Sequence, residues 1–472
     1  MMIPNELEYN ALLRRPLPLG QSVARRNLNF TRGLAVEDDS RSSWDILWSC
    51  VSTIFACTWA ALHENVPARN ESLFRAGVRK SFMCFVALMA PEITSWVAVQ
   101  QLWLAKSTRD RCNSSQTNRD RQTKEPTSYR RAPALEHAGG NKLDPVNTQW
   151  SLAQCFCIIM GGVALQTEDD WTYIIEQRNA HTLIEAGFIR SSDFRDRDVE
   201  DRSKADSFAK AFTVVQSLWT LINIISRAAY DLPISPIELL AVSYVACGLI
   251  TYACWWCKPK DMCTPITIML RCARDDLPKE LADITDARPQ YWVHLRAVPL
   301  EENMWSLPKM LQQWGASTFG EETSRAPMGE SAIGPRVRVE MMMDAFAFLA
   351  AGLFCGTHLA AWNFPFPTQT EQTAWRVFSL VSLSLAAFTY IHGQTPLVAR
   401  LLAGKVSLPS WLKKLANSDL PFTRLELYVA ALFELAYAFS RLGVFALTIA
   451  SLRALPARSF VSVSSVSSIP HY

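Results

Sequence analysis

The chain has 472 residues, a formal net charge of +3 and a mean hydropathy of +0.04. The small net charge and the lack of a basic stripe interleaved with aromatic residues argue against nucleic acid as a partner. The near-neutral mean hydropathy combines apolar runs of about 20 residues with connectors rich in Arg and Asp, a mixture typical of an integral membrane protein.

The first residues, MMIPNELEYNALLRR, have no apolar core of the length that a cleavable signal peptide needs. We therefore expect the first transmembrane segment to direct insertion. Seven apolar runs follow, and they predict an all-α, polytopic transmembrane helix bundle with charged cytoplasmic loops. The predicted spans are 44–62, 80–104, 208–229, 236–256, 341–361, 374–391 and 425–449.

An eighth apolar run, 150-WSLAQCFCIIMGGVAL-165, is short and ends in Gly161 and Gly162. Runs of this length are often re-entrant or packed against a bundle rather than full spans. If this run does cross the membrane, the bundle has eight spans and the Arg-rich N-terminus becomes lumenal.

The distribution of Lys and Arg in short loops predicts the orientation, because these residues resist translocation. The turns 230-YDLPIS-235 and 362-WNFPFPTQT-370 contain neither, which places both on the non-cytoplasmic side. With seven spans, the N-terminal arm and the long connectors then face the cytoplasm.

The predicted order of segments follows from these spans. It is an N-terminal arm (1–43), a first hairpin (44–105), a basic loop (106–147), a short apolar segment with a charged connector (148–207), a second hairpin (208–256), a connector (257–340), a third hairpin (341–391), a loop (392–424), a last helix (425–453) and a tail (454–472).

The first part of the basic loop, 106–131, has eight basic and three acidic residues and almost no apolar ones. This composition predicts a disordered cytoplasmic loop, with contact to a partner or to anionic lipid as the functional alternative.

Three predicted spans begin with Ser or Thr three residues before Glu, in 235-SPIE-238, 368-TQTE-371 and 423-TRLE-426, and 42-SSWD-45 is a weaker relative. This spacing is a capping box, in which hydroxyl and carboxylate bond the free N–H groups of the first turn. We therefore predict structural roles for these three glutamates.

The third span carries polar residues at helical spacing, which places them on one face. A polar face within an apolar span is expected to look into the bundle, either for interhelical hydrogen bonds or for function. Arg227, one turn from the helix end, has snorkelling to the interface as an alternative. The residues are Asp206, Thr213, Gln216, Thr220, Asn223 and Arg227.

Other spans supply ionisable groups. Each charge at a bilayer centre costs about 2.5–3.5 kcal/mol, so mutual neutralisation in a polar network is expected. His358, near the end of the fifth span, is either a hydrogen-bonded structural residue or a general base. The candidates for a polar network or ligand site are Glu92, Gln216, Asn223, Arg227, His358, Glu434 and Arg441.

No metal site and no cofactor are predicted. The motif 254-CWWC-257 lacks the second close pair of a zinc site, and arginines interleaved in 193-DFRDRDVEDRSKAD-206 neutralise its carboxylates. Most of the twelve cysteines lie in apolar runs, where they behave as small hydrophobic residues.

Several stretches together resemble a large group of fungal multipass membrane proteins of unassigned function. The resemblance implies topology and fungal origin, and no activity. At position 205 this chain has Ala where the group usually has Gly. The matching stretches are 44-WDILWSCVSTIFACTWAALHENVP-67, 90-APE-92, 203-SKADSFAKAF-212, 255-WWCKPKD-261, 358-HLAAWNFPFPTQTEQTAWR-376 and 469-IPHY-472.

Two functions fit the sequence. The first is a non-enzymatic membrane protein, a transporter-like, sensor or interaction component, whose partners are the lipid bilayer and a small solute or lipid. The alternative is an intramembrane enzyme acting on a lipid or isoprenoid, with His358 or Glu92 as acid or base and Arg227 orienting an anionic head. The sequence favours the first, because it has no nucleophile, base and orienting group at recognisable spacing.

Overall fold

The structure is a computed structural model that describes residues 30–32, 41–67, 73–122, 149–200, 206–270, 272–277, 279, 281–282, 335–403 and 424–461. This part of the chain is mostly helical. Its helices are α1 (Ser43–Phe55), α2 (Leu73–Met89), α3 (Pro91–Gln122), α4 (Leu152–Ile159), α5 (Gln177–Glu185), α6 (Asp196–Glu200), α7 (Asp206–Ala229), α8 (Pro236–Cys254), α9 (Pro335–Ala360), α10 (Gln369–Ala403) and α11 (Arg424–Ser451). Its strands are β1 (Phe30–Arg32), β2 (Val163–Gln166), β3 (Thr172–Ile174), β4 (Ile266–Met269) and β5 (Ala454–Pro456).

The capping motifs start helices where the sequence predicts them. Ser42 and Asp45 form a complete capping box at α1, and Ser235 and Glu238 form one at α8. At α10, Thr368 accepts a hydrogen bond from the backbone of the residue three positions on. The side chains of the fourth motif, 423–426, lie outside the described residues.

The predicted span 80–104 is broken at Pro91, where α2 and α3 meet at a bend of 111°. Proline has no N–H group and its ring clashes with the preceding turn, so the helix cannot continue. The prediction of one straight span here is wrong.

Both arms of the α2–α3 pair lead to the same end of the helical body. Lys80 of α2 forms an ion pair of 2.8 Å with Asp261, and Gln101 of α3 accepts a hydrogen bond of 2.9 Å from Lys258. Asp261 and Lys258 both follow the C-terminus of α8. The pair therefore enters and leaves at one end, which we call the Lys258 end.

The opposite end is marked by Glu238 in the first turn of α8, and we call it the Glu238 end. Arg41, just before α1, forms an ion pair of 2.5 Å with Glu238. Strand β1 pairs antiparallel with β5, which follows α11. The ion pair between Arg453 and Glu371 brings the start of α10 to this end.

These contacts correct the predicted arrangement of the N-terminal arm. The described part of the arm, including Arg41, lies at the same end as the turns 230–235 and 362–370, whereas the sequence predicted opposite sides. The physical reason is that the α2–α3 pair returns to the end from which it came. The segments before it therefore lie at the end opposite to the one predicted.

The apolar run 150–165 forms part of a small α/β unit at the Lys258 end. Helix α4 stops at Gly161, which has a φ of 75°, and the chain then enters β2. Strand β2 pairs antiparallel with β3 and parallel with β4, so Val163 lies beside Ile266. The run is therefore not one continuous helix, because its second half bonds to strands.

Helix α3 continues into this unit as far as Gln122, so the first part of the predicted disordered loop 106–147 is helical. Ala98, Ala105 and Cys112 recur at a spacing of seven, are fully buried and face the core of the unit. The helix persists beyond Lys106 because this apolar face packs against the unit.

Seven helices of membrane-spanning composition were predicted, and this number is wrong. Within the described ranges, α8 alone has the required length and apolar content, and the bent α2–α3 pair counts as a second if its arms are combined. Phe348–Ala360 and Leu435–Ser451 are shorter apolar stretches. A polar face lowers the mean hydropathy of a helix even where its other face is fully apolar.

Helix α7 is the clearest case, because its polar side chains are buried and its apolar ones are exposed. Thr213 and Thr220 are 1% and 4% exposed, whereas Val215 and Ile225 are 65% and 64% exposed. The helix is thus two-faced, with an orientation opposite to that of a helix in a water-soluble domain.

Close packing of α10 on α11 yields a first prediction. A Cβ atom at Gly443 would lie 2.6 Å from the ring of Phe378, whereas one at Gly352 would meet no atom within 4 Å. We expect Gly443→Ala to lower the free energy of unfolding by about 1–3 kcal/mol through overpacking. Gly352→Ala, the matched control, should be neutral or stabilise by up to about 1 kcal/mol. Equal effects on denaturant unfolding in detergent would contradict this packing.

Candidate functional site

The polar stripe of α7 packs against α1. The Gln216 amide donates to the hydroxyls of Ser52 and Thr53, at 3.1 and 3.2 Å. The Thr53 and Thr220 hydroxyls are 2.7 Å apart. These bonds join two helices and account for the stripe as interhelical contact.

Two other members of the stripe differ from this pattern. Asn223 is only half-buried, and the side chain of Asp206 lies outside the described residues. Thr213 accepts a hydrogen bond of 3.0 Å from the Tyr252 hydroxyl of α8.

Arg227 is fully buried at the Glu238 end and does not snorkel. Its guanidinium donates to the carbonyls of Pro233, Ser459 and Val461, at 2.9, 3.0 and 2.9 Å. Its nearest carboxylate is that of Glu238, at 3.9 Å. Arg227 therefore ties the α7–α8 turn to the segment after β5, and its nearest charged partner is not a member of the predicted polar network.

A second group of polar residues lies at the break between α2 and α3, and we call Glu92, Tyr244, His358, Tyr437 and Arg441 the polar centre. These side chains come from four helices. Tyr437 donates its hydroxyl hydrogen to Oε1 of Glu92. Arg441 Nη1 lies 3.0 Å from His358 Nε2.

The polar centre satisfies the backbone groups that the break releases. Because Pro91 cannot continue the helix, carbonyls in the last turn of α2 lose their partners. Tyr244 donates to the carbonyl of Leu88, and Arg441 Nε donates to that of Met89 at 3.1 Å. Side chains from α8 and α11 thus cap the end of α2.

Both ring nitrogens of His358 are engaged. Nδ1 lies 2.8 Å from the Phe354 carbonyl, which has no proton and therefore accepts. Nε2 faces the guanidinium of Arg441, which can only donate, so Nε2 must be unprotonated. The imidazole is therefore neutral, and it stacks on Trp375 at 5.9 Å between ring centroids.

Two polar atoms of the centre have no partner among the described residues. They are Oε2 of Glu92 and Nη2 of Arg441, and both are buried. Glu92 is 6% exposed and Arg441 is 0% exposed. Buried polar atoms are nearly always hydrogen-bonded, so these two atoms are exceptions within the polar centre.

Of the sequence candidates, the structure brings Glu92, His358 and Arg441 together and separates them from Gln216 and Arg227. The side chain of Glu434 lies outside the described residues. Sequence reasoning missed Tyr244 and Tyr437. The break at Pro91 signalled that donors were needed, but nothing in the sequence identified which helices supply them.

Sequence reasoning also missed a buried lysine at the Lys258 end. The Lys258 ammonium donates to the carbonyl of His63, to Asn65 and to Gln101, at 2.6, 3.2 and 2.9 Å. It lies 4.8 Å from the centre of the Trp255 ring. Lys258 therefore joins the end of α8, the loop after α1 and the middle of α3.

Burial lowers the pKa of Lys258 to about 7, and the carboxylate of Glu64 opposes this shift. The three acceptors match the three N–H groups of the ammonium. Lys258 therefore titrates near neutral pH while every one of its donors has an acceptor.

The chain belongs to a family of unknown function, DUF8562, whose profile matches residues 19–279. The match covers α1 to β4, including Glu92 and Lys258 but not His358 or Arg441. No curated protein and no solved structure matches the chain significantly.

The shifted pKa of Lys258 yields a prediction about pH. Because the folded pKa lies below the unfolded value of 10.5, the unfolded chain binds more protons between about pH 7 and 10. The free energy of unfolding should therefore rise with pH in this window, by up to about 1.4 kcal/mol per unit. Lys258→Met should lose this rise and Lys80→Met should keep it. Identical pH profiles of unfolding midpoints in detergent for wild type and Lys258→Met would refute the assignment.

The polar centre yields a prediction about stability. Arg441→Met leaves the Met89 carbonyl and the Glu92 carboxylate without their buried cation, so we expect the free energy of unfolding to fall by about 3–5 kcal/mol. The control Arg453→Met removes an exposed ion pair and should cost at most about 1 kcal/mol. Denaturant titration in detergent measures both, and a small loss at Arg441 would show that the centre does not hold the helices together.

Proposed function

We propose that this chain is an integral membrane protein with six crossing helices and one re-entrant helix pair, and that it handles a small polar solute at the polar centre without chemical conversion. The crossing helices are α1 with its π-helical continuation Ala56–Ala60, and α7, α8, α9, α10 and α11. The α2–α3 pair enters from the Lys258 end and turns at Pro91. The α/β unit then covers the cytoplasmic side.

The observation that carries this proposal is the exposed apolar face of the helices that bury polar side chains. On α1, Trp44, Trp48, Val51 and Phe55 are exposed at helical spacing. Contiguous apolar surface of this kind is rare on water-soluble monomers and fits contact with lipid. The list of exposed apolar side chains continues on α7 with Phe212, Val215, Leu218, Ile222 and Ile225, and on α11 with Leu432, Leu435, Phe439, Leu442 and Ile449.

The lengths of these helices support the same proposal. Helix α7 has 24 residues and α8 has 19, which correspond to about 36 and 28 Å at 1.5 Å per residue. The hydrocarbon core of a bilayer is about 30 Å thick. Average hydropathy undercounts such helices, because the buried face of a two-faced helix is polar.

The charge of the connecting segments supports an orientation with the Lys258 end in the cytoplasm. The two short turns at the Glu238 end, 230–235 and 362–368, contain no Lys or Arg. The described segment after α8, at the Lys258 end, carries Lys258, Lys260 and Arg274. Short loops govern orientation more strongly than long arms, so the N-terminal arm with its arginines is proposed to be non-cytoplasmic.

A role without catalysis fits the polar centre better than an enzyme does. A general base needs a free lone pair next to the proton that it abstracts. Both nitrogens of His358 are engaged, one by the Phe354 carbonyl and one by Arg441. Glu92 shares its site with a buried guanidinium, an arrangement that suits binding.

Cysteine labelling tests the membrane arrangement. In sealed microsomes with the cytoplasmic face outward, a membrane-impermeant maleimide should label the wild-type protein, because Cys257 and Cys263 are exposed at the Lys258 end. In a variant with these two and the half-buried Cys272 changed to Ser, a cysteine placed at exposed Tyr230 (Tyr230→Cys) should react only after permeabilisation.

The triple Ser variant without Tyr230→Cys is the matched control and should stay unlabelled in both conditions. Labelling of Tyr230→Cys before permeabilisation would contradict the proposed separation of the two ends. Release of the chain from the membranes by alkaline carbonate would contradict integral insertion altogether.

A further inference from the structure

We infer that the polar centre binds a small zwitterion, a molecule with a carboxylate and an ammonium group a few bonds apart, as in an α-amino acid. This inference rests on the proposed function, because it names the solute that the membrane body would handle. It is drawn from the two unpartnered atoms at the break between α2 and α3.

The two atoms belong to residues that lie at the break between α2 and α3. Glu92 is the second residue of α3, and Arg441 Nε bonds the carbonyl of Met89, the last residue of α2. Tyr437, one helical turn before Arg441 on α11, bonds Glu92. Both charged groups therefore lie at the break, and each has one buried atom without a hydrogen-bond partner among the described residues, Oε2 and Nη2.

The charges of the polar centre restrict which ligands it can hold. Among the residues that the structure describes, the site holds one carboxylate, one guanidinium and a neutral His358, and the charges of these three groups sum to zero. An ion with a single charge would leave a net charge buried in the site, which is costly. A zwitterion brings one charge of each sign and adds none, so it matches the site as a whole.

The donor and acceptor character of the two free atoms decides which group of the ligand each one binds. Arg441 Nη2 offers N–H donors, which pair with a carboxylate in strong charge-assisted bonds. The N-terminus of α3 adds partial positive charge for the same carboxylate. Oε2 of Glu92 only accepts, so it takes the ammonium group.

Aromatic side chains surround these charged groups. The guanidinium carbon of Arg441 lies 4.2 Å from the centre of the Phe354 ring, and Trp375 covers His358. Tyr244 and Phe354 are fully buried beside them. Apolar walls lower the local dielectric and strengthen both ion pairs, so a small ligand is held by a few charged bonds.

Equilibrium binding of glycine and L-alanine tests the inference with the full chain reconstituted in phosphatidylcholine nanodiscs. We expect saturable binding of one molecule per chain. Acetate and methylammonium carry one half of the zwitterion each and should bind far more weakly, because each leaves one charged group of the centre without its counterpart. This comparison needs no variant.

Variants then assign the site. Glu92→Gln removes the partner of the ammonium group and should weaken glycine binding about 10- to 100-fold. Gln216→Leu, on the other side of the body, should leave it unchanged. If Glu92→Gln does not fold, protection of wild-type thermal unfolding by glycine, absent with acetate, provides the same assignment.

Two results would overturn the inference. One is the absence of saturable glycine binding. The other is equal binding of glycine, acetate and methylammonium. Either result leaves the proposed membrane arrangement standing if cysteine labelling separates the two ends, so the two failures are distinguishable.

Discussion

The structure depends on one constraint, which is that polar side chains are buried between helices whose outer faces are apolar. On α7, Gln216 and Thr220 bond α1, while Val215 and Ile225 point outward. Exposing the second pair to water costs about 25 cal/mol for each Å² of apolar surface, a cost that lipid removes. The same constraint keeps the helices in register, because a rotation of α7 would break its hydrogen bonds to α1 and bury Val215 in a polar interior.

The helix break at Pro91 determines where the polar centre forms. It ends α2, and the released carbonyls attract Tyr244 and Arg441 from other helices. A buried arginine then needs negative charge nearby, which Glu92 supplies at the start of α3. The break thus explains why ionisable groups occur in the middle of the body. It also explains why α3 turns back toward the Lys258 end.

The sequence predicted the helices and the capping boxes well, because both are set by local patterns, as at Ser235 and Glu238. It also predicted which residues are polar within apolar runs. It did not predict their partners: Arg227 contacts Glu238 and backbone carbonyls instead of Glu92. Periodicity specifies the face of a helix but not the helix opposite. The strand at 163–166 was missed for a similar reason, since its parallel partner lies about a hundred residues away and an apolar run of that length gives no sign of it.

The most direct test of the account is the accessibility of spin labels along α7 in a phosphatidylcholine bilayer. Labels at Val215, Leu218 and Ile222 should collide frequently with oxygen, which dissolves in lipid, and rarely with a water-soluble nickel complex. Labels at Thr213 and Thr220 should be shielded from both, because those positions are buried against neighbouring helices. Frequent collision of the outward labels with the nickel complex would contradict the account, because the apolar faces would then be in contact with water.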